Sequence, residues 1–224
     1  MSEQNPSRER ILDRIRQGLR TPAPFHAGAA PAAAHATDYF PAIDDPWQRF
    51  LAECATNKTE IILTRTAEET AARLQAVLAE LPAGGIYIQD DAGLRGLARA
   101  LDADAATGTG RAWYWSSQGG PLDGHAAGIS RCEALVAMTG SILFSSRCGG
   151  RAVSVLPPCH IVIARRDQVV VDAEAALQRI QAEGVVTGLS YVGLVTGPSR
   201  TADIERIVVM GAHGPMRLIV LIEG

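Results

Sequence analysis

The chain has 224 residues, of which 47% are hydrophobic and 20% are charged, and its formal net charge at pH 7 is −3. This composition suffices for one sizeable hydrophobic core. The slightly acidic balance gives no broad attraction to nucleic acid or to anionic lipid. No apolar run reaches the roughly 18 to 20 residues that cross a bilayer, and the polar N-terminus is unlike a secretory signal. We therefore expect a cytoplasmic protein that binds neither nucleic acid nor membrane.

The first 51 residues predict an accessory arm. Residues 8–19 carry apolar side chains at helical spacing among arginines, namely Ile11, Leu12, Ile15 and Leu19. This pattern predicts a basic amphipathic helix, which either docks a partner or packs on its own domain. Residues 21–37 are rich in Ala and Pro and predict an extended linker. We expect a helix and arm over residues 1–51 and one α/β domain over residues 52–224.

From residue 59 onward, strand and helix patterns alternate. Short apolar runs predict strands at 59–64, 85–89, 111–115, 133–137, 141–146, 160–165, 168–171, 191–196 and 216–222. Helical periodicity appears at 67–81, 94–101 and 172–183. Such alternation predicts a central sheet covered on both faces. The short spacings between 133 and 171 cannot hold crossover helices and therefore indicate that part of the sheet is antiparallel. The predicted fold class is α/β, a three-layer α/β/α arrangement with a mixed, mostly parallel central sheet.

The four cysteines, Cys54, Cys132, Cys148 and Cys159, are scattered along the chain. They form no C-x-x-C pair and have no clustered histidines beside them. The sequence therefore predicts no iron–sulfur cluster, no metal site and no other cofactor in this chain. Buried thiols are the simpler expectation.

Three segments have the character of ligand-binding loops, which in such sheets lie beyond the carboxyl ends of the strands. The first is Thr139-Gly140-Ser141, after an apolar strand. Its glycine permits close backbone approach, and its two hydroxyls can donate to an anion. The other explanation, which the sequence alone favours, is a hairpin turn that needs glycine between two strands.

The second segment runs from Gly197 to Glu205. Ser199 or Thr201 is expected to cap a helix, with Asp203 and Glu205 in or near its first turn. Capping alone explains these residues. The other interpretation is ligand contact, in which Arg200 offers its planar fork to a phosphate or carboxylate.

The third segment places His213 in a tight loop between Gly211 and Gly214, before the last predicted strand. Imidazole is the side chain whose ordinary pKa suits proton transfer near neutrality. The alternative is a plain surface histidine. The glycine-rich loop 147–151 is a weaker anion cradle, and His160 has the better prospect of a core or capping role.

Four segments in this order and spacing resemble the LUD domain family of lactate utilization C proteins. They are MTGSILFSS (138–146), RAVSVLPPCHIVIAR (151–165), GPSRTADIE (197–205) and GAHGP (211–215). The resemblance covers residues 52–224. It implies a fold similar to the sugar-phosphate isomerase and CoA-transferase-like superfamily. It also implies that the protein acts together with iron–sulfur partner proteins in the oxidation of L-lactate to pyruvate.

One position departs from the family pattern, which commonly has an acidic residue where this chain has Met138. A thioether cannot form the acyl anhydride of a CoA-transferase. Covalent chemistry of that kind is therefore disfavoured, and any carboxylate role falls to Asp203 or Glu205.

The leading hypothesis is a lactate-utilization subunit that binds a small carboxylate or phosphate. Its catalytic candidates are His213 and Asp203. Its ligand-binding candidates are Thr139, Gly140, Ser141, Gly197, Ser199, Arg200, Thr201, Glu205 and Gly214. The alternative is an independent enzyme of the same fold that acts on a phosphorylated or carboxylated metabolite, like a cyclo-ligase or an isomerase. The sequence leaves open whether the isolated chain is catalytic and whether it forms a homo-oligomer.

Overall fold

The computed structural model describes residues 6–20, 42–102, 110–119, 121, 123–183, 188–201, 209–211 and 213–224. The chain divides into two units, Met1–Pro41 and Ala42–Gly224. In the first unit the described part is helix α1, Pro6–Leu19, in which Ile11 and Ile15 are exposed. Among the described residues, no helix has the length and apolar character needed to cross a membrane.

The second unit alternates helices with strands. Its helices are α2 Pro46–Asn57, α3 Ala67–Glu80, α4 Ala92–Asp102, α5 Gly150–Val155 and α6 Ala173–Ala182. Its first six strands are β1 Glu60–Thr64, β2 Gly85–Ile88, β3 Trp113–Trp115, β4 His125–Ser130, β5 Ala134–Val136 and β6 Ser141–Ser145. The others are β7 Cys159–Arg165, β8 Val169–Val170, β9 Val192–Val195, β10 Arg200–Thr201, β11 Val209–Met210 and β12 Arg217–Glu223.

Six strands form a parallel sheet in the order β1-β12-β7-β4-β2-β3. One face of this sheet packs against α3 and α4. The buried side chains there include Leu74 and Leu78 of α3, Leu94 of α4, and Ile161 and Ile219 of the sheet. Because both faces are covered, the central strands β7 and β12 are apolar along nearly their whole length.

A second sheet, of order β8-β5-β6-β9, covers the opposite face of the parallel sheet together with α2. Phe50 of α2, Phe144 of β6 and Val220 of β12 lie in the shared core. Helix α6 packs on the outer face of this second sheet through Ala176 and Ile180. The predicted α/β fold with a mostly parallel central sheet is confirmed. The central sheet is wholly parallel. The antiparallel pairs expected near 133–171 occur instead in the second sheet, where β6 pairs with β5 and with β9.

Helix α2 was not predicted, since residues 46–51 were assigned to the arm. Asp45 caps it by accepting a hydrogen bond from the Gln48 amide at 3.1 Å, and Pro46 occupies its first turn. Phe50 and Cys54 are fully buried on its inner face. The helix ends at Lys58 in the left-handed conformation, with φ 65°. Its first turn thus follows the ordinary rules for helix initiation.

Strand β4 was not predicted either, because its sequence, HAAGIS, has few branched or aromatic residues. All six of its residues are buried. The small side chains allow α5 to pass close by: a Cβ atom on Gly128 would lie 2.0 Å from the carbonyl oxygen of Val153. Close packing of a helix on a central strand here requires small residues.

Candidate functional site

Three hydroxyl groups form a hydrogen-bonded chain beside the β5–β6 hairpin. The Ser141 Oγ atom lies 2.6 Å from the Thr139 Oγ1 atom and 2.6 Å from the Thr196 Oγ1 atom. Ser141 is buried, whereas Thr139 and Thr196 are exposed. Gly140 occupies the turn with φ 63°. The hairpin interpretation of Thr139-Gly140-Ser141 is therefore correct, and the Ser141 hydroxyl also bonds Thr196, which directly precedes Gly197.

The end of α2 holds both glycine turns in place. The Asn57 Nδ2 atom donates to the Thr139 carbonyl at 2.7 Å. A Cβ atom on Gly140 would lie 2.8 Å from the Cys54 amide nitrogen, and one on Gly197 would lie 2.4 Å from the Asn57 carbonyl oxygen. Any larger residue at either position would push the helix away. The first and second predicted segments therefore meet at the last turn of α2.

We expect Ser141→Ala to lower the free energy of unfolding by about 1 kcal/mol, because a buried hydroxyl with two partners is removed. Thermal or urea unfolding measures the change. Thr56→Ala is the matched control, since the Thr56 hydroxyl bonds only the Ala52 carbonyl within α2, at 3.1 Å. The control should change stability by less than about 0.5 kcal/mol. Equal losses in the two variants would show that the hydroxyl chain contributes nothing specific.

The second and third predicted segments also lie together. The Ser199 amide donates to the Pro215 carbonyl at 2.8 Å, and the Gly211 amide donates to the Ser199 carbonyl at 3.0 Å. A Cβ atom on Gly214 would lie 3.3 Å from that of Ser199. These contacts bring the GPS turn and the GAHGP loop side by side.

A helix capped by Ser199 would begin at Arg200, and the structure has no helix at that position. Arg200–Thr201 is instead strand β10, which pairs with β11 in antiparallel fashion. The backbone pairs locally across this short ribbon, so the capping role assigned to Ser199 is wrong. Asp203 and Glu205 lie outside the described residues, as does the side chain of Thr201.

His213 lines a pocket of about 450 Å³. The other lining residues are Val155, Leu156, Pro158, Gly211, Gly214 and Met216. His213 itself is exposed, and Leu156 and Met216 are each 50% exposed. The pocket thus combines one imidazole with an apolar wall and two glycines, whose backbone a ligand can approach closely.

All three predicted segments lie at the end of the parallel sheet where β1, β7 and β12 begin, which we call the amino edge. The Met216 amide, just before β12, donates to the carbonyl of Pro158, just before β7, at 2.7 Å. Asn57, which holds Thr139, lies three residues before β1. The expected position at the carboxyl ends of the central parallel strands is therefore wrong. The strand before Gly197, β9, belongs to the mixed second sheet, where it pairs with β6 in antiparallel fashion, so its end need not lie at the carboxyl edge of the parallel sheet.

We call this group the amino-edge site: Asn57, Thr139, Gly140, Ser141, Thr196, Gly197, Ser199, Gly211, His213, Gly214 and Met216. Arg200 adjoins it through the backbone pairing of β10, and its side chain is exposed. Sequence reasoning missed Asn57, Thr196 and Met216. The start signals of α2 were readable at Asp45 and Pro46, but nothing local indicated that the helix ends against two distant glycine turns.

The cysteines are buried and unpaired, as expected. Burial raises the pKa of the Cys54 and Cys148 thiols to about 12 and that of Cys159 to about 11, and it raises the pKa of Cys132 as well. Each thiol therefore stays protonated near neutral pH, which makes it a poor nucleophile.

Neither weaker candidate adds to the site. Arg147, in the glycine-rich loop, pairs with Glu133 at 2.6 Å and with Glu183 at 2.8 Å, so its charge is compensated. His160 is wholly buried in β7, where its Nε2 atom lies 2.9 Å from the Ser130 hydroxyl. The expected core role of His160 is confirmed.

Known proteins resemble the chain in sequence and in fold. A model of the LUD domain matches residues 122–222. Lactate utilization protein C of Bacillus subtilis strain 168 is 30% identical over 226 aligned positions, which cover 94% of this chain and 93% of that protein. Lactate utilization protein C of Bacillus licheniformis is 35% identical over 116 residues, so the chain spans 48% of that protein's length in this match.

A crystal structure of a DUF162 family protein from Deinococcus radiodurans has the same fold. It superimposes with a TM-score of 0.56 at 22% sequence identity, over 80% of this chain and 96% of that chain. The B. subtilis match extends almost from end to end of both proteins. The chain therefore belongs to the LUD domain family, together with the lactate utilization C proteins.

Proposed function

We propose that the chain acts in the utilization of L-lactate and that it binds a small carboxylate or phosphate at the amino-edge site. The observation that carries this proposal is the match to the B. subtilis lactate utilization protein C, which covers 94% of this chain and 93% of that protein. A match of this extent spans nearly the whole length of both proteins.

The chemistry of the site supports a small anionic ligand. The pocket of about 450 Å³ lies within the usual size range for small-molecule sites. His213 offers an imidazole that can donate a hydrogen bond to an anion or accept a proton. The exposed guanidinium of Arg200 lies on the adjoining ribbon and can bind a carboxylate with two donors. The apolar wall suits a ligand with a hydrocarbon part next to its anionic group.

The proposal includes iron–sulfur partner proteins in the same cytoplasmic system, as the family resemblance implies. In that arrangement the partners accept the electrons that lactate loses on oxidation to pyruvate. This chain supplies a binding surface and carries no cofactor of its own. We therefore expect that affinity purification of the tagged protein from cells grown on L-lactate recovers iron–sulfur proteins together with it.

We expect a strain that lacks this chain, and has no other lactate-oxidising system, to grow on glucose but not on L-lactate. The wild-type gene should restore growth. The double variant Arg200→Ala, His213→Ala should restore it poorly, because the anion-binding groups are lost. Arg73→Ala, an exposed position on α3, is the control and should restore growth fully. Normal growth of the deletion strain on L-lactate, with no cluster protein recovered, would exclude the proposal.

A second candidate is an independent enzyme, which the position of His213 in a pocket favours. In that case His213 moves a proton, Arg200 holds the anionic substrate and Asp203 orients it. The isolated protein would then turn over a phosphorylated or carboxylated metabolite without partners. Turnover that persists unchanged in the Arg200→Ala, His213→Ala variant would remove the amino-edge site from consideration.

A further inference from the structure

A basic groove runs along the opposite, carboxyl edge of the parallel sheet. Two pockets of about 590 Å³ and 440 Å³ adjoin there, since Arg165 and Glu223 line both of them. The arginines that line the pair are Arg65, Arg131, Arg165, Arg166 and Arg179. We call these two pockets the carboxyl-edge groove.

The sheet topology brings the arginines together. Arg65 follows β1, Arg131 follows β4 and Arg165 is the last residue of β7, while Arg179 lies in the last turn of α6. Parallel strands end at the same edge, so residues far apart in sequence converge there. Ligands of parallel α/β sheets commonly bind at this edge.

Asp167 holds two of the guanidinium groups in fixed positions. The Arg165 Nε atom donates to the Asp167 Oδ1 atom at 3.0 Å, and a second bond joins the Arg165 Nη2 and Asp167 Oδ2 atoms. The Arg179 Nη1 atom donates to the Asp167 carbonyl at 3.0 Å. A guanidinium has five N–H donors. Both arginines therefore keep donors that can bind an anion.

Arg166 is fixed in a different way. Its guanidinium carbon lies 4.7 Å from the centre of the Trp47 ring, a stacking contact. Stacking uses the face of the guanidinium plane and leaves the N–H donors at its edge available. Among the described residues, no carboxylate forms an ion pair with Arg166 or Arg179, whereas Arg65 pairs with Glu69 and Arg131 with Asp91.

We propose that the carboxyl-edge groove binds a small molecule with at least two anionic groups. One group would lie near Arg166 in the larger pocket and the other near Arg179 in the smaller one, with Arg165 between them. Glu223 lines both halves, and its carboxylate repels any anionic group that lies beside it. The anionic groups of the ligand should therefore lie apart from Glu223, one near Arg166 and the other near Arg179, which have no ion-pair partner among the described residues.

The test measures binding of two simple dianionic probes by isothermal titration calorimetry at low ionic strength, without divalent metals. Inorganic pyrophosphate represents phosphorylated ligands and malonate represents dicarboxylates. We expect the wild-type protein to bind at least one probe with one-to-one saturation. The tighter probe then assigns the ligand's anionic groups to phosphate or to carboxylate. Affinity should fall as salt is added, because exposed charges are screened.

The double variant Arg166→Gln, Arg179→Gln should bind the tighter probe at least about tenfold more weakly, because the two guanidinium groups proposed to hold the ligand's anionic groups are lost. The matched control is Arg73→Gln, Arg99→Gln, which removes two exposed arginines of α3 and α4 and has the same net charge. The control should bind like the wild type. Equal loss in the two double variants, or no saturable binding by the wild type, would overturn the proposal. Thermal unfolding checks that both variants are folded.

This groove is separate from the amino-edge site, so the two proposals can fail independently. The Arg166→Gln, Arg179→Gln variant leaves His213 and Arg200 in place. Loss of pyrophosphate or malonate binding in that variant tests the groove alone, whereas growth on L-lactate tests the proposed function.

Discussion

Replacement of Gly128 by alanine is expected to lower the free energy of unfolding by about 3 kcal/mol or more, because it overpacks a rigid backbone contact. The new Cβ atom would lie 2.0 Å from the Val153 carbonyl oxygen and 3.1 Å from the Pro157 Cγ atom. The closest atom is main chain, so no rotamer change can relieve the clash. Helix α5 would have to move away from β4, and the buried layer between them would open.

Urea unfolding followed by circular dichroism measures this loss. Gly96→Ala is the matched control: Gly96 lies in α4, and a Cβ atom added there would meet no other atom within 4 Å. Alanine there should stabilise the protein by roughly 0.5 to 1 kcal/mol, because glycine is a poor helix former. If Gly128→Ala proved as stable as the wild type, α5 could not pack so closely on β4.

The second large effect is a loss of stability in mild acid caused by His160. Burial lowers the pKa of this imidazole to about 3, from an ordinary value of 6.5. Its Nδ1 atom is buried and has no hydrogen-bond partner among the described residues. A protonated ring in this position would be charged, desolvated and poorly compensated.

The direction in which stability changes with pH depends on whether the folded or the unfolded state binds a proton at the higher pH. Well above pH 6.5 the imidazole is neutral in both states, and its contribution to stability is fully present. Between pH 6.5 and about 3 the unfolded chain binds a proton that the folded protein does not, so stability falls as the pH is lowered. At pH 5 the expected loss relative to pH 7 is about 2 kcal/mol.

The experiment compares unfolding free energies at pH 7 and pH 5 in the wild type and in His160→Gln. The variant keeps a polar partner for Ser130 but has no group that titrates in this range. We expect the acid-induced loss to shrink by most of the roughly 2 kcal/mol attributed to the imidazole. An unchanged pH dependence in His160→Gln would contradict the assignment.

The local pattern of the sequence predicted most of the fold. Runs of branched apolar residues, such as those of β7 and β12, indicate buried parallel strands without any long-range information. Strand β4 has no such signal, because the close approach of α5 at Gly128 selects small residues there. Helix α2 has clear initiation signals at Asp45 and Pro46, but the Ala- and Pro-rich segment before it favoured an extended arm that continued past them.

The candidate site was predictable as a set of loops but not as a place in the fold. The pattern of glycines beside polar residues correctly predicted turns at Gly140, at Gly197 and around His213. Which edge of the sheet they occupy depends on the order of the strands, and that order rests on pairings between distant residues. The carboxyl-edge arginines carried no local motif, because apart from the adjacent pair Arg165 and Arg166 they come from separate segments of the chain.

The position of β12 between β1 and β7 has a consequence for synthesis on the ribosome. Among the described residues, the partner of strand β1 in the parallel sheet is β12, and the Arg217–Glu60 ion pair joins residues 157 positions apart. At about 5 to 20 residues per second, β1 therefore waits roughly ten to thirty seconds for its partner to be translated. Throughout that interval its side chains lack the contacts that β12 will supply. The nascent chain should thus depend on chaperone protection more than a fold built from sequential hairpins would.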